Sequence, residues 1–506
     1  MLHLPMEVLV LIGNALEPSQ RPRLLQVCRR LRTILFRLVY TELHLTGRRI
    51  DLLTRTIQSY PEIASTVQKL VLKDLALRSY GPLELSAGRP HYYSSWVDER
   101  VQQASRSPCA RKRWRNGLVL GTGDNWGALI LALLDNLVDL HIQYPPIPSH
   151  IREIIFQAAS PARDSRPALQ KLQKVNIDLP EDRFLDPARD LFPFFHLPSI
   201  RSVSASGIID SDYVPTVGSK RKDKGKLSAP RRSSIEEIKL DCTCGEAFGM
   251  PDYITPCTNL KRFSFTNLYK DSFGAPRDRL LRSEFYEPLL SQKSSLEVLD
   301  LNYLGLAYDD TFDNEAGLRE NFRLGVAPDR FYGRWFGSFA EFTRLTELCI
   351  RAPNLLNLSD NKQSLKTPLV DTLPRSLQSL FVSYSSDVYV NILVDGLTEL
   401  VSVHKERFPS LRRITVCCHE AEIRCVFSQF ERLDGLRLVC SNAGLKFEMH
   451  HKERCTLHSQ DGSSASFTSS HGPNGSEVRP HRFLERDFSS LLDFEAWLHC
   501  RPSVSF

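Results

Sequence analysis

An apolar-x-x-apolar-x-apolar unit recurs along this chain, and no other feature limits its fold as much. It appears as Val67/Leu70/Leu72, Leu137/Leu140/Ile142, Leu172/Val175/Ile177, Ile200/Val203/Ala205 and Ile235/Ile238/Leu240. It continues as Leu260/Phe263/Phe265, Leu296/Leu299/Leu301, Leu345/Leu348/Ile350, Leu377/Leu380/Val382, Leu411/Ile414/Val416 and Leu433/Leu436/Leu438. The last two positions alternate, which turns one face of a short strand inward, and the first anchors the turn leading into it. A single unit cannot cover its apolar face, so units must stack, and stacking gives one parallel sheet. Several units follow a helix-like run, for example residues 126–135 ahead of Asn136-Leu137. Helix, strand and loop in that order make a right-handed α/β coil. The anchors are unevenly spaced. The expected fold class is therefore α/β, an irregular solenoid with long insertions and one curved parallel sheet over residues 46–455. A conventional α/β domain whose strands share a pattern is the competing arrangement.

Ahead of the coil, residues 4–32 read as helices. Leu4-Pro5 opens the segment, Glu7 follows, and Val8, Leu9, Leu11, Ile12 and Leu16 are apolar. Proline suits a helix's first turn because its missing N–H needs no partner there, and a glutamate meets the positive end of the helix dipole. Glu17-Pro18-Ser19 stops this helix. Pro22 begins a second with Leu24, Leu25, Val27 and Cys28 on its apolar face, and a basic third follows with Leu31, Ile34, Leu35 and Leu38 at helical spacing. About forty residues are too few to bury a core of their own. Their remaining apolar surface must lie against the rest of the chain, another protein, or both. An ordinary amphipathic helix pair at the start of a domain is the plainer alternative.

The residues Leu4-Pro5-x-Glu7-Val8, Ile12, Leu16 and Val27-Cys28-Arg29-x-Leu31-Arg32 resemble the F-box, the adaptor-binding motif of cullin-based ubiquitin ligases. The ending Leu38-Val39-Tyr40-x-x-Leu43-x-Leu45 is similar to fungal F-box proteins, where it leads into a leucine-rich-repeat-like body. The family often has an acidic residue and leucines where this chain has Gln20-Arg21-Pro22. The resemblance implies a three-helix F-box over residues 1–45 that docks on a Skp-type adaptor, itself held by a cullin carrying a RING subunit. It implies adaptor contacts by Leu4, Pro5, Val8, Ile12, Leu16, Leu24, Val27 and Leu31, with Arg29 and Arg32 on the rim. The expected role is a non-catalytic substrate receptor that raises the effective concentration of a target lysine near the charged ubiquitin-conjugating enzyme. Two alternatives stand beside it: a scaffold that binds the adaptor without cullin, and an enzyme with an unrecognised site.

Composition narrows the remaining classes. Hydrophobic residues at 42% and charged residues at 25% are ordinary for a soluble globular protein, and a net charge of +6 over 506 residues is mild. Much of that charge sits in residues 218–234, so no nucleic-acid surface is expected. That basic stretch reads as a solvated loop, with Lys220-Arg221-Lys222 a candidate nuclear-import address. No run of about twenty charge-free apolar residues exists, so no membrane span is expected, and Pro5 and Glu7 argue against a secretory leader. Twelve cysteines without repeating spacing suit reduced thiols and a cytoplasmic or nuclear location. Residues 456–480 read as a disordered linker, and residues 481–506 as a helix that caps the open end of the coil.

Motifs for chemistry are few. Gly121-x-Gly123-x-x-x-Gly127 lacks the dinucleotide-loop spacing, and Trp126 within it is expected to pack a repeat helix. Cys242, Cys244 and Cys257, and the group His450, His451, Cys455 and His458, lack zinc-finger spacing. Asp309, Asp313 and Glu320 fit a calcium loop poorly, because Thr311 and Asn314 stand where a carboxylate or amide and a glycine are needed. No cofactor or metal is expected. No GxSxG, HExxH or Walker-type GxxxxGK[ST] occurs. The insertions at 73–130 and 302–340 carry Tyr92, Tyr93, Trp96, Trp114, Tyr332, Trp335 and Phe336, which either anchor a target or pack back onto the coil.

Overall fold

The computed structural model describes residues 4–17, 20–46, 50–75, 94–105, 107–145, 150–160, 168–178, 190–209, 232–244, 250–267, 282–301, 335–359, 364–384, 387–418 and 427–451. Three helices come first: α1 (Met6–Ala15), α2 (Arg21–Val27) and α3 (Arg29–Thr41). Strand β1 (Glu42–Thr46) follows α3 directly, and α4 (Ile50–Ser59) and α5 (Glu62–Thr66) lead to β2 (Lys69–Lys73). The sheet continues through β3 (Asp139–Gln143), β4 (Lys174–Asp178), β5 (Ser202–Ile209), β6 (Glu237–Cys244), β7 (Arg262–Asn267) and β8 (Val298–Asp300). It ends with β9 (Glu347–Arg351), β10 (Ser379–Tyr384), β11 (Arg413–Cys418) and β12 (Lys446–His451).

These make one 12-stranded sheet in strict sequence order, every pair parallel. A sheet whose neighbours are always consecutive strands is a solenoid, so the expected coil is present and the conventional α/β domain is excluded. Register explains why the repeat unit works. Leu43, Leu70, Leu140, Val175, Val203, Ile238, Phe263, Leu299, Leu348, Leu380, Ile414 and Phe447 lie opposite one another in a single column across all strands. A one-residue slip would turn every such side chain to the other face, so burial fixes the pairing. From Leu70 to Ile414 this column is buried, as are the anchors from Val67 to Leu411.

Backbone bonds at the turns lock successive coils together. The carbonyl of Val138 accepts from Gln173 and Lys174 at 2.8 and 3.0 Å, and that of Gln173 accepts from Arg201 and Ser202 at 2.7 and 3.0 Å. The carbonyls of Glu236, Lys261, Glu297, Thr346 and Gln378 do the same for the next strand. A carbonyl has two lone pairs, and here both are used to start the following strand. The anchor side chain just before each strand holds that turn in place. One turn needs glycine: Gly337 has φ +127°, and a Cβ there would come 2.6 Å from the Tyr286 ring.

Three sequence expectations change. Leu433/Leu436/Leu438 is not a strand but part of the helix Phe427–Asn442, with Leu433 and Leu436 buried and Leu438 exposed. Apolar-x-x-apolar is also helical i, i+3 spacing, which is why the pattern misled. The true last strand, β12, has Gly444 at its anchor position. The helical segment stops at Thr41 rather than residue 45, because Leu43 and Leu45 already pair with Leu70 and Leu72. Of the basic stretch 218–234, residues 232–234 are described, and Ser233 is buried with its N–H donating to Pro256 at 2.7 Å.

Candidate partner-binding surfaces

The N-terminal helices pack on each other and run without a linker into the sheet. Pro5 precedes α1, its carbonyl accepts from Leu9 at 3.2 Å, and Glu7 lies in the first turn. Leu9 and Gly13 form the inner edge of α1. A Cβ on Gly13 would lie 2.7 Å from Leu38 and 2.9 Å from Leu35, so glycine there permits α1 to approach α3 closely. Leu25 of α2 and Leu31, Leu35, Val39 and Tyr40 of α3 complete the interior. The Cys28 sulfur caps α3 by accepting from Leu31, and Arg30 ties α3 to the opening turn by donating to the Leu4 carbonyl at 2.8 Å. At the other end of α3, the Phe36 ring lies 5.0 Å from Tyr40 and 6.1 Å from Tyr60. The Thr41 carbonyl accepts from Gln68 at 2.9 Å, joining the helices to the first two strands.

What this packing leaves outside includes large apolar side chains among the charged ones. Met6 is 56% exposed, Leu11 66% and Val27 65%, and Pro5 is exposed beside them in sequence. Among the residues expected to bind an adaptor, Pro5 and Val27 are exposed, while Leu4, Val8, Ile12, Leu16 and Leu24 are half-buried. Leu31 is 5% exposed and belongs to the interior, so its expected contact is corrected to a core position. Met6 and Leu11, outside that set, are exposed too. Helical geometry could have found Leu11: about 100° per residue puts it roughly 200° from Leu9, on the opposite side of α1 from the Leu9–Gly13 edge. Arg29 and Arg32 are exposed, as rim residues would be.

The second surface is the outer face of the sheet, where the residues alternating with the core columns stand. It is largely polar, with Val71 of β2 a buried exception. Glu42 pairs with Lys69 at 2.6 Å and His44 at 3.1 Å. Burial pushes the Glu42 carboxyl up, but these two partners outweigh it and hold the group below the usual carboxylate range. Asp178 accepts from His141 at 2.5 Å and from Ser206 at 3.3 Å, and the His141 bond is the main cause of its lowered pKa. Asp241, two strands further on, is pushed up by burial despite Lys239 at 4.0 Å. His141 and Ser206 both bond to Asp178 rather than to each other, so the set does not make the serine–histidine contact that activates a nucleophile. In the second half of the face, Arg351, Ser383, Thr415 and Cys417 are buried. Glu347, Arg413 and Lys446 on the later strands are exposed.

Several insertion aromatics fold back. Trp114 is buried, donates to the Asn125 carbonyl at 2.9 Å and stacks on His150 at 5.4 Å, and Phe336 stacks on Phe285 at 6.2 Å. Trp96 is half-buried with Arg100 over its ring at 5.5 Å, and Trp335 is half-buried. Tyr92, Tyr93 and Tyr332 lie outside the described residues. Trp126 is buried in the helix Gly123–Leu133, as expected. Burial pushes the Cys257 thiol up to about 12, and Cys242 and Cys244 sit on β6. Among the described residues no cluster of His, Cys, Asp and Glu is placed to hold a metal, and no helix is long and apolar enough to cross a membrane. Asp309, Asp313, Glu320, Cys455, His458, Lys220–Lys222, the linker 456–480 and the segment 481–506 lie outside the described residues.

A family model described as a leucine-rich repeat domain matches residues 163–445, more than half of the chain. No curated protein and no solved structure matches it. The matched span runs from just before β4 to the residue before β12, and the same register carries the repeat back through β3, β2 and β1. With family match and uninterrupted register agreeing, this chain belongs to the leucine-rich repeat family.

Proposed function

We propose that this protein is a substrate-recognition subunit of a cullin-type ubiquitin ligase. Its N-terminal helices hold a Skp-type adaptor and its repeat sheet holds a target protein. Leucine-rich repeat domains generally bind protein partners, which supports the second part. The observation that carries the first is that Pro5, Met6, Leu11 and Val27 are exposed apolar residues on a well-packed helical trio, which this reading joins into one docking ridge. An exposed apolar cluster on a small, rigid element is what a partner's groove completes. The direct run of α3 into β1 also supports the reading, because it fixes the angle between adaptor and target. Such a receptor acts by proximity and needs no catalytic group of its own.

The test is co-purification of the tagged full chain with a Skp-type adaptor, a cullin and a RING subunit. All three are expected with the wild-type chain, and none with a Met6→Glu/Leu11→Glu/Val27→Glu variant. Adaptor recovered without cullin would refute ligase membership and leave a scaffold that uses the adaptor alone. Equal recovery with the triple variant would refute the ridge as the docking surface.

A further inference from the structure

Between the two ends of the coil the inward strand residues are covered, and of the end strands β1 has Leu43 half-buried but Leu45 buried. From Leu70 in β2 to Val416 in β11 they are buried, whereas Phe447 and Met449, their equivalents in β12, are only half-buried. The helix of this last repeat, Phe427–Asn442, leaves Leu438 63% exposed and Val439 half-buried, with Ala443 half-buried just beyond its end. Cβ atoms added at Gly435 and Gly444 would meet nothing within 4 Å. Among the described residues β12 has a paired neighbour on one side only, β11. The first repeat has the same edge problem, and there α3 meets it with Tyr40 buried in the anchor position ahead of β1. Stacked repeats need such a cover at both ends, since the terminal unit otherwise presents apolar side chains and an open strand edge to water.

We propose that residues 483–498 of this same chain form an amphipathic helix that docks on the open end and caps the coil. The chain leaves β12 at His451, on the uncovered edge, and continues through residues 452–506. Leu484, Phe488, Leu491 and Leu492 recur at i, i+4, i+7 and i+8, giving one apolar face, with Leu498 extending it. A helix of this length is marginal alone in water and needs a surface to hold it. Residues 452–482 could span on the order of 100 Å extended, so reach does not limit docking. Closing a loop that long adds little entropy cost, because the cost grows only with the logarithm of length. This inference rests on the repeat fold and stands apart from the adaptor reading.

Hydrogen exchange followed by mass spectrometry on the full chain, a chain ending at residue 481, and a full-length Phe488→Asp/Leu491→Asp variant tests it. Amides of Phe427–Asn442 and β12 are expected to exchange about tenfold or more faster in both altered chains, with β2 to β4 unchanged as the control for global folding. A synthetic peptide of residues 482–500 added to the shortened chain should restore the protection. Equal exchange in all three proteins would overturn the proposal. So would a full-length chain that is a dimer by light scattering, losing protection at this end on dilution whether or not residues 482–506 are present, since a second copy would then be the cover. Protection that appears only when another protein is added would overturn it as well.

Discussion

Leu11 and Leu31 are the same residue type in the same helical trio, and shortening each to alanine should produce opposite phenotypes. Leu11 is 66% exposed, so a partner that covers it removes about two-thirds of its surface from water. Full burial of a leucine side chain is worth ~1.5–3 kcal/mol, which puts the covered fraction near ~1–2 kcal/mol. At ~1.4 kcal/mol per decade, Leu11→Ala should weaken adaptor binding about five- to thirtyfold. The free protein should hardly notice, since surface truncations usually stay within ~0.5 kcal/mol. Leu31 is 5% exposed and packs in the interior, so Leu31→Ala removes methyl groups from a packed site at a cost of ~2–5 kcal/mol of stability. Under conditions where it is still folded, its adaptor affinity should fall by less than that of Leu11→Ala. Titration calorimetry against a purified Skp-type adaptor gives the affinities, and urea unfolding of the free chains gives the stabilities. A Leu11→Ala protein that binds like wild type, or that loses as much stability as Leu31→Ala, would refute the division of this segment into outer ridge and inner core.

Two further expectations concern the sheet and its turns. Gly337→Ala places a Cβ at φ +127° and 2.6 Å from the Tyr286 ring, and should cost ~1–3 kcal/mol in a urea unfolding midpoint. A glycine-like stability in that variant would show that the turn relaxes freely. The folded Asp178 carboxyl lies below its usual value of 3.8, chiefly through the His141 bond, so its contribution is present above that value and lost as pH falls through the lowered folded pKa. Asp178→Asn should therefore flatten the acid limb of the stability curve below the usual value of 3.8. An acid limb identical to wild type would refute the role given to the His141 bond.

The strands of this fold were legible because their pattern answers to a single physical demand. In a stacked parallel sheet each inward position is flanked above and below by its counterparts, so only apolar residues survive there, and two of them two residues apart suffice to mark a strand. Ala205 shows how far this goes: small as it is, it falls at its expected place opposite Ile177 and Leu240. Apart from β1, whose Leu43 and Leu45 are grouped with the opening helices by the family resemblance, the pattern failed where that demand changed. Leu433, Leu436 and Leu438 satisfy the same string of letters on a helix, because three residues is also nearly one helical turn. β12 lacks the string because its anchor position is Gly444, at φ +80°, a conformation that a leucine there would rarely adopt.

The exposed residues of the helical trio were harder to read, for a reason that also follows from packing. A family motif names residues that matter without separating those that touch a partner from those that hold the helices in shape. Leu31 and Val27 lie four residues apart, yet one is inside and the other outside, because the chain bends at Cys28 between α2 and α3. Cys28 adopts φ −160° and ψ 161°, an extended conformation that resets the helical phase. Periodicity carried across that break assigns both residues to one face, whereas each helix has to be phased by its own buried residue: Leu25 for α2, Leu35 for α3. For α1 the sequence did hold the phase, in Gly13, since a mid-helix glycine costs stability unless another backbone element must come close. Phased on Gly13 and Leu9, α1 turns Leu11 outward, to where a partner would meet it.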